Sequence, residues 1–447
     1  MNIDRVTLRD LSFLSGSQDV FSLIQEVCTT QEGVAALRRH ILHPPESPEQ
    51  LSGYQDAVRF WMQHGGQWTD KVSNGTLVMI QKFYETADVA LSKPNAFHLF
   101  LTALLQKLFR KESYSFELFS ISHLADFVKG CYELTALLSA SPPKRVSLLL
   151  ASLQNACNHP LIQQLIHTTQ HTSKRTWLTL GYQARRQTRA TIFRMIQNFA
   201  SLDALHAMAQ ATKKQRWALP ELLPAEALTY EVVGLTHPLL TNPVGYDLSL
   251  QEQQRFLFLT GANMSGKSTL LYTLGIGALL AHLGMGVPAR SMKISFLKGM
   301  ITNMHVEDNI LLGESYFFAE VQRMKQTALK LQHSPYHLVL MDELFKGTNG
   351  SDAYECTYAV VEALLKKRRN LMALSTHLSD LAEKLQEQPE VVFRYCETQI
   401  DKRHNYHFTY RLKEGVSRDR IGFLVLKEEG ILRLLFDDEQ KNGNDQA

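Results

Sequence analysis

Cysteine is scarce in this chain. There are 5 in 447 residues, Cys28, Cys131, Cys157, Cys356 and Cys396. An odd number with no C-x-x-C pair argues against a disulfide framework and offers no zinc-ribbon spacing. They read as free thiols in a reducing cytosol, so a cytoplasmic protein is expected. Long hydrophobic runs are missing as well. No stretch reaches the roughly 18 apolar residues of a membrane helix, and the opening MNIDRVTLRD is charged where an export signal is apolar. Neither membrane spanning nor secretion is expected. An excess of one charge is also lacking: the net charge is +3 and the pI ≈ 8.4. That is too mild to argue a nucleic-acid partner, because binding faces concentrate charge locally. What remains, 45% hydrophobic and 20% charged residues, is ordinary globular composition, long enough for roughly two to four domains.

One stretch organises the rest. Arg255 to Thr269 reads RFLFLTGANMSGKST. Phe256 to Leu259 form a short apolar run suited to a buried strand, and Gly261 to Ser268 follow as G-x-x-x-x-G-K-S, the phosphate-binding loop pattern. Gly261 and Gly266 let the backbone turn so that successive N–H groups, through Ala262, Asn263, Met264 and Ser265, converge on phosphate oxygens. The helix opening near Lys267 points its positive dipole end at the same anion. Lys267 supplies a charge for the β- and γ-phosphates, the Ser268 hydroxyl is placed to ligate Mg²⁺, and Thr269 completes the set. A helix-like LLYTLGIGALL comes next. ATP and Mg²⁺ are the expected ligands.

From Met1 to about Leu223 the pattern is helical, and strand-like alternation is scarce. Val20, Phe21, Leu23, Ile24 and Val27 recur at helical spacing, as do Leu101, Leu104, Leu105 and Leu108, and Phe193, Ile196, Phe199, Leu202 and Leu205. Prolines mark breaks at His43 to Pro48, Ser141 to Lys144 and Pro220 to Pro224, with the main boundary expected near Pro224. His167 and His171, with Cys157 and His159 nearby, lack a third ligand at a convincing spacing and read as a solvated helix face. Arg185, Arg186 and Arg189, preceded by Lys174 and Arg175, read the same way, with phosphate-backbone contact as the alternative.

The second half changes character. Tyr230 to Val233, Phe256 to Leu259, Leu338 to Met341 and Leu371 to Leu374 are short apolar runs separated by helix-like or turn-rich segments, which predicts an α/β domain with a mainly parallel sheet. Ligand loops then lie at the carboxyl ends of the strands. Asp342 and Glu343 end one such run: Asp342 suits a direct or outer role at Mg²⁺, and Glu343 suits a water poised for in-line attack on a γ-phosphate. Ser375-Thr376-His377 end another, and His377 is a candidate contact to the γ-phosphate or the attacking water. Lys366 to Arg369 read as cations at a helix C-terminus rather than a DNA site.

The same residues carry a family resemblance. GANMSGKST resembles the T-G-P-N-M-G-G-K-S-T signature of the MutS mismatch-repair ATPases, sharing Asn263 and Met264 beyond the general loop pattern. LVLMDELFKGTN is similar to their L-V-L-D-E-x-G-R-G-T-S segment, STH to their A-T-H, and Gly286 to Ala289 to their F-V-P-A. ITNMHVEDNILLGESYFFAE resembles the stretch whose core reads D-D-L-x-x-G-x-S-T-F-M-x-E. Gly313, Ser315, Phe317 and Glu320 hold their places there, and Tyr316 stands where the family has threonine. Thr30 and Gly33 match a T-x-x-G in the helical core, Thr236-His237-Pro238 resembles the return into the ATPase, and Tyr410 to Gly422 resembles the closing segment.

The resemblance implies an all-α core and lever over 1–223 and an ABC-type P-loop ATPase over 224–437, and the composition of DEQKNGNDQA reads as a disordered tail over 438–447. It implies that Glu343, His377 and Lys267 act in catalysis, that Ser268 and Asp342 hold Mg²⁺, that Tyr410 lies near adenine and that Ser315 contacts the nucleotide of a partner subunit in a head-to-tail homodimer. It further implies DNA as a partner, in duplex or branched form and through backbone contacts. The expected role is ATP-dependent DNA clamping in mismatch repair or a related repair or recombination process, with another repair protein as a possible partner. The chain is expected to lack the family's mismatch-reading and connector domains. The about 130 residues from Phe60 to Thr191 are short for both a lever pair and a DNA-gripping clamp. The alternative of another class is an ATP-gated protein-interaction module with no direct DNA role.

Overall fold

A computed structural model describes residues 1–14, 19–85, 111–304, 316–400 and 406–417, with a few positions between 425 and 434. The expected helix around Leu101 to Leu108, Ser315 and the tail over 438–447 lie outside the described residues. The fold is mixed α/β, helical in the first part and built on a mainly parallel sheet in the second.

In chain order the first part comprises α1 (Arg5–Asp10), α2 (Val20–Gln25), α3 (Gln31–Leu42), α4 (Pro48–His64), α5 (Asn74–Glu85), α6 (Lys111–Thr135), α7 (Lys144–Cys157), α8 (Pro160–Ile166), α9 (Lys174–Gln187) and α10 (Arg189–Lys214). Two compact units alternate along the chain. Met1–Phe21, Leu42–Leu51 and Gln215–Ala447 form one, and Ser22–Ile41 with Ser52–Lys214 form the other.

In the helical unit, buried Asp203 of α10 accepts hydrogen bonds from Thr29 N at 3.0 Å, Thr30 N at 2.9 Å and Thr30 Oγ1 at 2.7 Å. Thr30 also caps α3 by accepting from Gly33 N at 3.0 Å. A Cβ on Gly33 would stand 2.1 Å from Asp203 Oδ2, so only glycine fits while that carboxylate holds the cap. This is the physical content of the T-x-x-G pattern. Arg185 departs from the solvated face expected of it. Its guanidinium donates to Glu117 at 2.6 Å and to Phe83 O at 3.1 Å and lies over the Phe83 ring, so it braces α9 against α5 and α6. His167 and His171 are exposed, and His159 caps α8 by accepting from Leu161 N.

The second part adds β1 (Glu221–Leu223), β2 (Tyr230–Leu235), β3 (Tyr246–Leu250), β4 (Phe256–Thr260), α11 (Lys267–His282), β5 (Ser291–Ser295), β6 (Gly299–Asn303), α12 (Tyr316–His333), β7 (His337–Asp342), α13 (Gly350–Leu365), β8 (Leu371–Ser375), α14 (Leu381–Leu385), β9 (Val391–Ile400) and β10 (Tyr406–Glu414). A four-stranded sheet runs β1-β5-β2-β3, and a six-stranded sheet runs β10-β9-β4-β8-β7-β6. The latter is parallel except for edge strand β10. Its inner strands β4, β7 and β8 are buried at every position, as parallel strands covered on both faces must be. Phe256, Phe258, Val339, Met341, Met372 and Leu374 pack on Val361 and Leu365 of α13 and on Leu381 and Leu385 of α14. Helix α11 is apolar around most of its circumference and correspondingly buried. Among the described residues, no helix is long and apolar enough to cross a membrane.

Candidate functional site

The register of the six-stranded sheet brings three sequence motifs to one edge. Leu259 of β4 pairs with Ser375 of β8, and Ser375 pairs on its other side with Asp342 of β7. The strands therefore end within one residue of one another, and Gly261, Thr376 and Glu343 leave the sheet at the same edge. Glu343 N donates to Ser375 O at 2.9 Å and Thr376 N to Leu259 O at 3.0 Å, which extends the ladder into the loops.

The loop after β4 turns at Gly261, with φ 142°, at Met264, with φ 68°, and at Gly266, with φ 101°. Gly266 stands at the N-cap of α11, with a backbone that disfavours any side chain. Lys267 is buried and folds back, its Nζ donating to Gly261 O at 2.9 Å and Ala262 O at 3.0 Å. Burial pushes its ammonium below the ordinary lysine value, and the carboxylates of Glu343 and Asp342 pull the other way. Ala262 and Ser265 are buried behind the loop, while Asn263 and Met264 are exposed on its lip.

Asp342 is buried, and one of its oxygens accepts from the Ser375 hydroxyl. Glu343 follows with φ 54° and Phe345 with φ 60°, the sparsely populated backbone that persists where surrounding contacts over-determine it. The Glu343 carboxylate lies 3.3 Å from Lys346 Nζ and 4.0 Å from His377 Nδ1, and His377 itself is exposed.

Lys267, Ser268, Thr269, Asn263, Met264, Gly266, Glu343 and Tyr410 line one cleft of ≈ 710 Å³. Tyr410 reaches it because β10 is irregular between Phe408 and Leu412 and Tyr410 has φ 55°. Its Cδ1 lies 3.3 Å from where a Cβ on Gly266 would stand. Asp342 and His377 flank the cleft rather than line it. The volume suits a nucleotide-sized ligand. The oxygen donors Ser268, Asp342 and Glu343 suit a hard cation, which for Mg²⁺ takes only one or two protein ligands when phosphates supply the rest.

Leu240, Thr241, Asn242, Pro243, Val244 and Tyr246 also line the cleft and escape sequence reasoning. Apart from the turn signal of Asn242-Pro243, nothing in these residue types marks a ligand surface. A second, much smaller cavity of ≈ 20 Å³ lies between the start of α12 and the Asp342-Glu343 turn.

Comparison with known proteins matches part of the chain to a family. Residues 257–440 match the MutS domain V family. The chain is 32% identical over 244 residues to DNA mismatch repair protein msh3 of Aspergillus fumigatus, covering 52% of this chain and 21% of that protein. It is 30% identical over 272 residues to DNA mismatch repair protein MSH7 of Arabidopsis thaliana, covering 53% of this chain and 24% of that protein. The chain thus spans about a fifth to a quarter of the length of the curated relatives it matches.

Proposed function

Because this chain belongs to the MutS family, we propose that its 224–437 segment is a Mg²⁺-dependent ATPase whose nucleotide state governs a grip on DNA through the helical 1–223 segment. Water attacks the γ-phosphate in line. Lys267 balances charge developing on the transferred group, Glu343 orients the water, and His377 contacts the γ-phosphate or that water. Ser268 and Asp342 would hold Mg²⁺, which when bound neutralises β- and γ-phosphate charge. The loop from Gly261 to Thr269 cradles the phosphates and Tyr410 faces the base. Two copies meet head to tail around ATP, with Ser315 reaching the partner's nucleotide. The relatives are named as mismatch repair proteins, and repair of DNA is the process we assign. Five free cysteines fit a reducing compartment, the cytoplasm.

The observation that carries this reading is the single cleft shared by Lys267, Ser268 and Glu343. The test is ATP binding and hydrolysis by the full chain, alone and with homoduplex, mismatched and branched DNA across a salt series. Expected are ATP binding that Lys267→Ala weakens, and DNA affinity that falls steeply with salt. Normal ATP affinity in Lys267→Ala would remove the loop from its role. ATP turnover with no salt-sensitive DNA affinity would leave a nucleotide-gated protein-interaction module instead.

A further inference from the structure

Glu320 lies near the start of α12 and is 8% exposed. Both of its carboxylate oxygens are engaged by backbone: Lys346 N donates to Oε1 and Gly347 N to Oε2, each at 3.1 Å. These amides belong to the turn that begins at Glu343. An ionised carboxylate bridging two amides makes a pair of directional, charge-assisted bonds. The turn needs such support, since Glu343 and Phe345 both adopt left-handed backbone. The packing is equally tight, because a Cβ on Gly347 would stand 2.6 Å from Phe317 N and 2.7 Å from the Tyr316 ring.

Helix α12 is itself anchored. Arg323, one turn past Glu320, pairs with buried Asp10 of α1 and donates to Thr302 O at 2.9 Å. Asp10 also accepts from Thr302 Oγ1 at 2.7 Å, at the end of β6. Two turns further along α12, Lys330 pairs with Asp4 at 2.5 Å. Helix α1 therefore clamps α12 at two points against the sheet that carries the acids.

We propose that Glu320 is a positioning residue for ATP hydrolysis. Through the amides of Lys346 and Gly347 it fixes the turn that aims the Glu343 carboxylate, and the Asp10–Arg323 pair holds the helix from which it acts. This rests on the reading of Glu343 as the residue that orients water.

The experiment compares Glu320→Ala, Glu320→Gln, Asp10→Asn and Glu343→Gln in the full chain, measuring ATP Kd, KM and kcat, with thermal melting as a check on folding. Misplacing a reacting group by about 1 Å costs on the order of 100-fold, so Glu320→Ala should lower kcat about 10- to 100-fold while Kd for ATP stays within about threefold. Glu320→Gln keeps one acceptor oxygen and should recover part of that loss, and it decides the matter if the alanine variant fails to fold. Asp10→Asn should lower kcat in the same direction by less. A residue that only supported the fold would move Kd, KM and melting together. Normal kcat in both Glu320 variants, or ATP affinity lost in step with kcat, overturns the brace. Full turnover in Glu343→Gln would overturn the reading of Glu343 and the brace with it, whereas loss in Glu343→Gln with normal kcat in both Glu320 variants overturns the brace alone.

Discussion

Ser375 and Asp342 are register partners on β8 and β7, and the Ser375 hydroxyl donates to Asp342 Oδ1. The bond restrains the rotation of the Asp342 carboxylate, and so how it would present itself to the proposed Mg²⁺. Outer-sphere partners of this kind are worth roughly 10- to 100-fold in metal affinity. Ser375→Ala should therefore raise the Mg²⁺ concentration for half-maximal ATP hydrolysis by about 10-fold, with ATP affinity in saturating Mg²⁺ little changed. A Mg²⁺ titration that superimposes on that of the unsubstituted protein would remove Asp342 from the cation site.

Gly266 has φ 101°, and a methyl there would sit 3.3 Å from the Tyr410 ring. Left-handed backbone costs a residue with a Cβ about 1–2 kcal/mol, so Gly266→Ala should weaken nucleotide binding by about 10-fold by calorimetry. Unchanged affinity would mean that the loop does not keep this conformation around its ligand.

In the helical unit, Asp203→Ala strands the part-buried amide of Thr29 and the buried amide of Thr30 and should cost about 2–4 kcal/mol in denaturant unfolding. Gly33→Ala should cost a similar amount, because its methyl and the Asp203 carboxylate cannot share one place. With the carboxylate gone the two closest contacts, Oδ2 at 2.1 Å and Cγ at 2.6 Å, disappear and only Cβ at 2.9 Å remains, so the double variant should be more stable than the sum of the two losses allows. Strict additivity would show that the two residues do not meet.

Acid should destabilise both units. His206 and His282 are pushed down from 6.5 to about 4, first of all by burial. His282 also has both nitrogens committed: Nε2 accepts from Leu297 N at 2.8 Å, so Nδ1 carries the proton it gives to Ala278 O. Above the unfolded value both are neutral in either state and contribute no pH dependence. Between 6.5 and about 4 the unfolded chain binds protons that the folded chain does not, so stability falls as pH falls. The loss should be on the order of 1–3 kcal/mol per histidine by about pH 4–5, read as a falling Tm. A Tm that is level between pH 7 and pH 5 would contradict the burial of these rings as neutral groups.

Some of this is local and some is not. The apolar runs Phe256 to Leu259, Leu338 to Met341 and Leu371 to Leu374 are readable because strands buried on both faces need no alternation. The proposed phosphate loop is readable because glycine, lysine and serine would have to stand at fixed offsets to surround an anion. Strands β9 and β10 are harder to read. VVFRYCETQI and YHFTYRLKE mix polar and apolar residues, as an edge hairpin does, and β10 has an irregular register. Arg185 reads as a surface cation until Glu117 and Phe83, far away in sequence, are placed around it.

The sequence alone determined which residue types stand at each strand end, since type and short-range spacing suffice to pick out a candidate phosphate loop, an acid pair and a histidine. Only the tertiary structure decided that these ends come together at one edge, that residues between Leu240 and Tyr246 line the same cleft and that Asp10 and Glu320 brace the acid turn. Those relations depend on strand order, register and contacts between residues from 26 to 313 positions apart, and a chain read one residue after another holds no local trace of them.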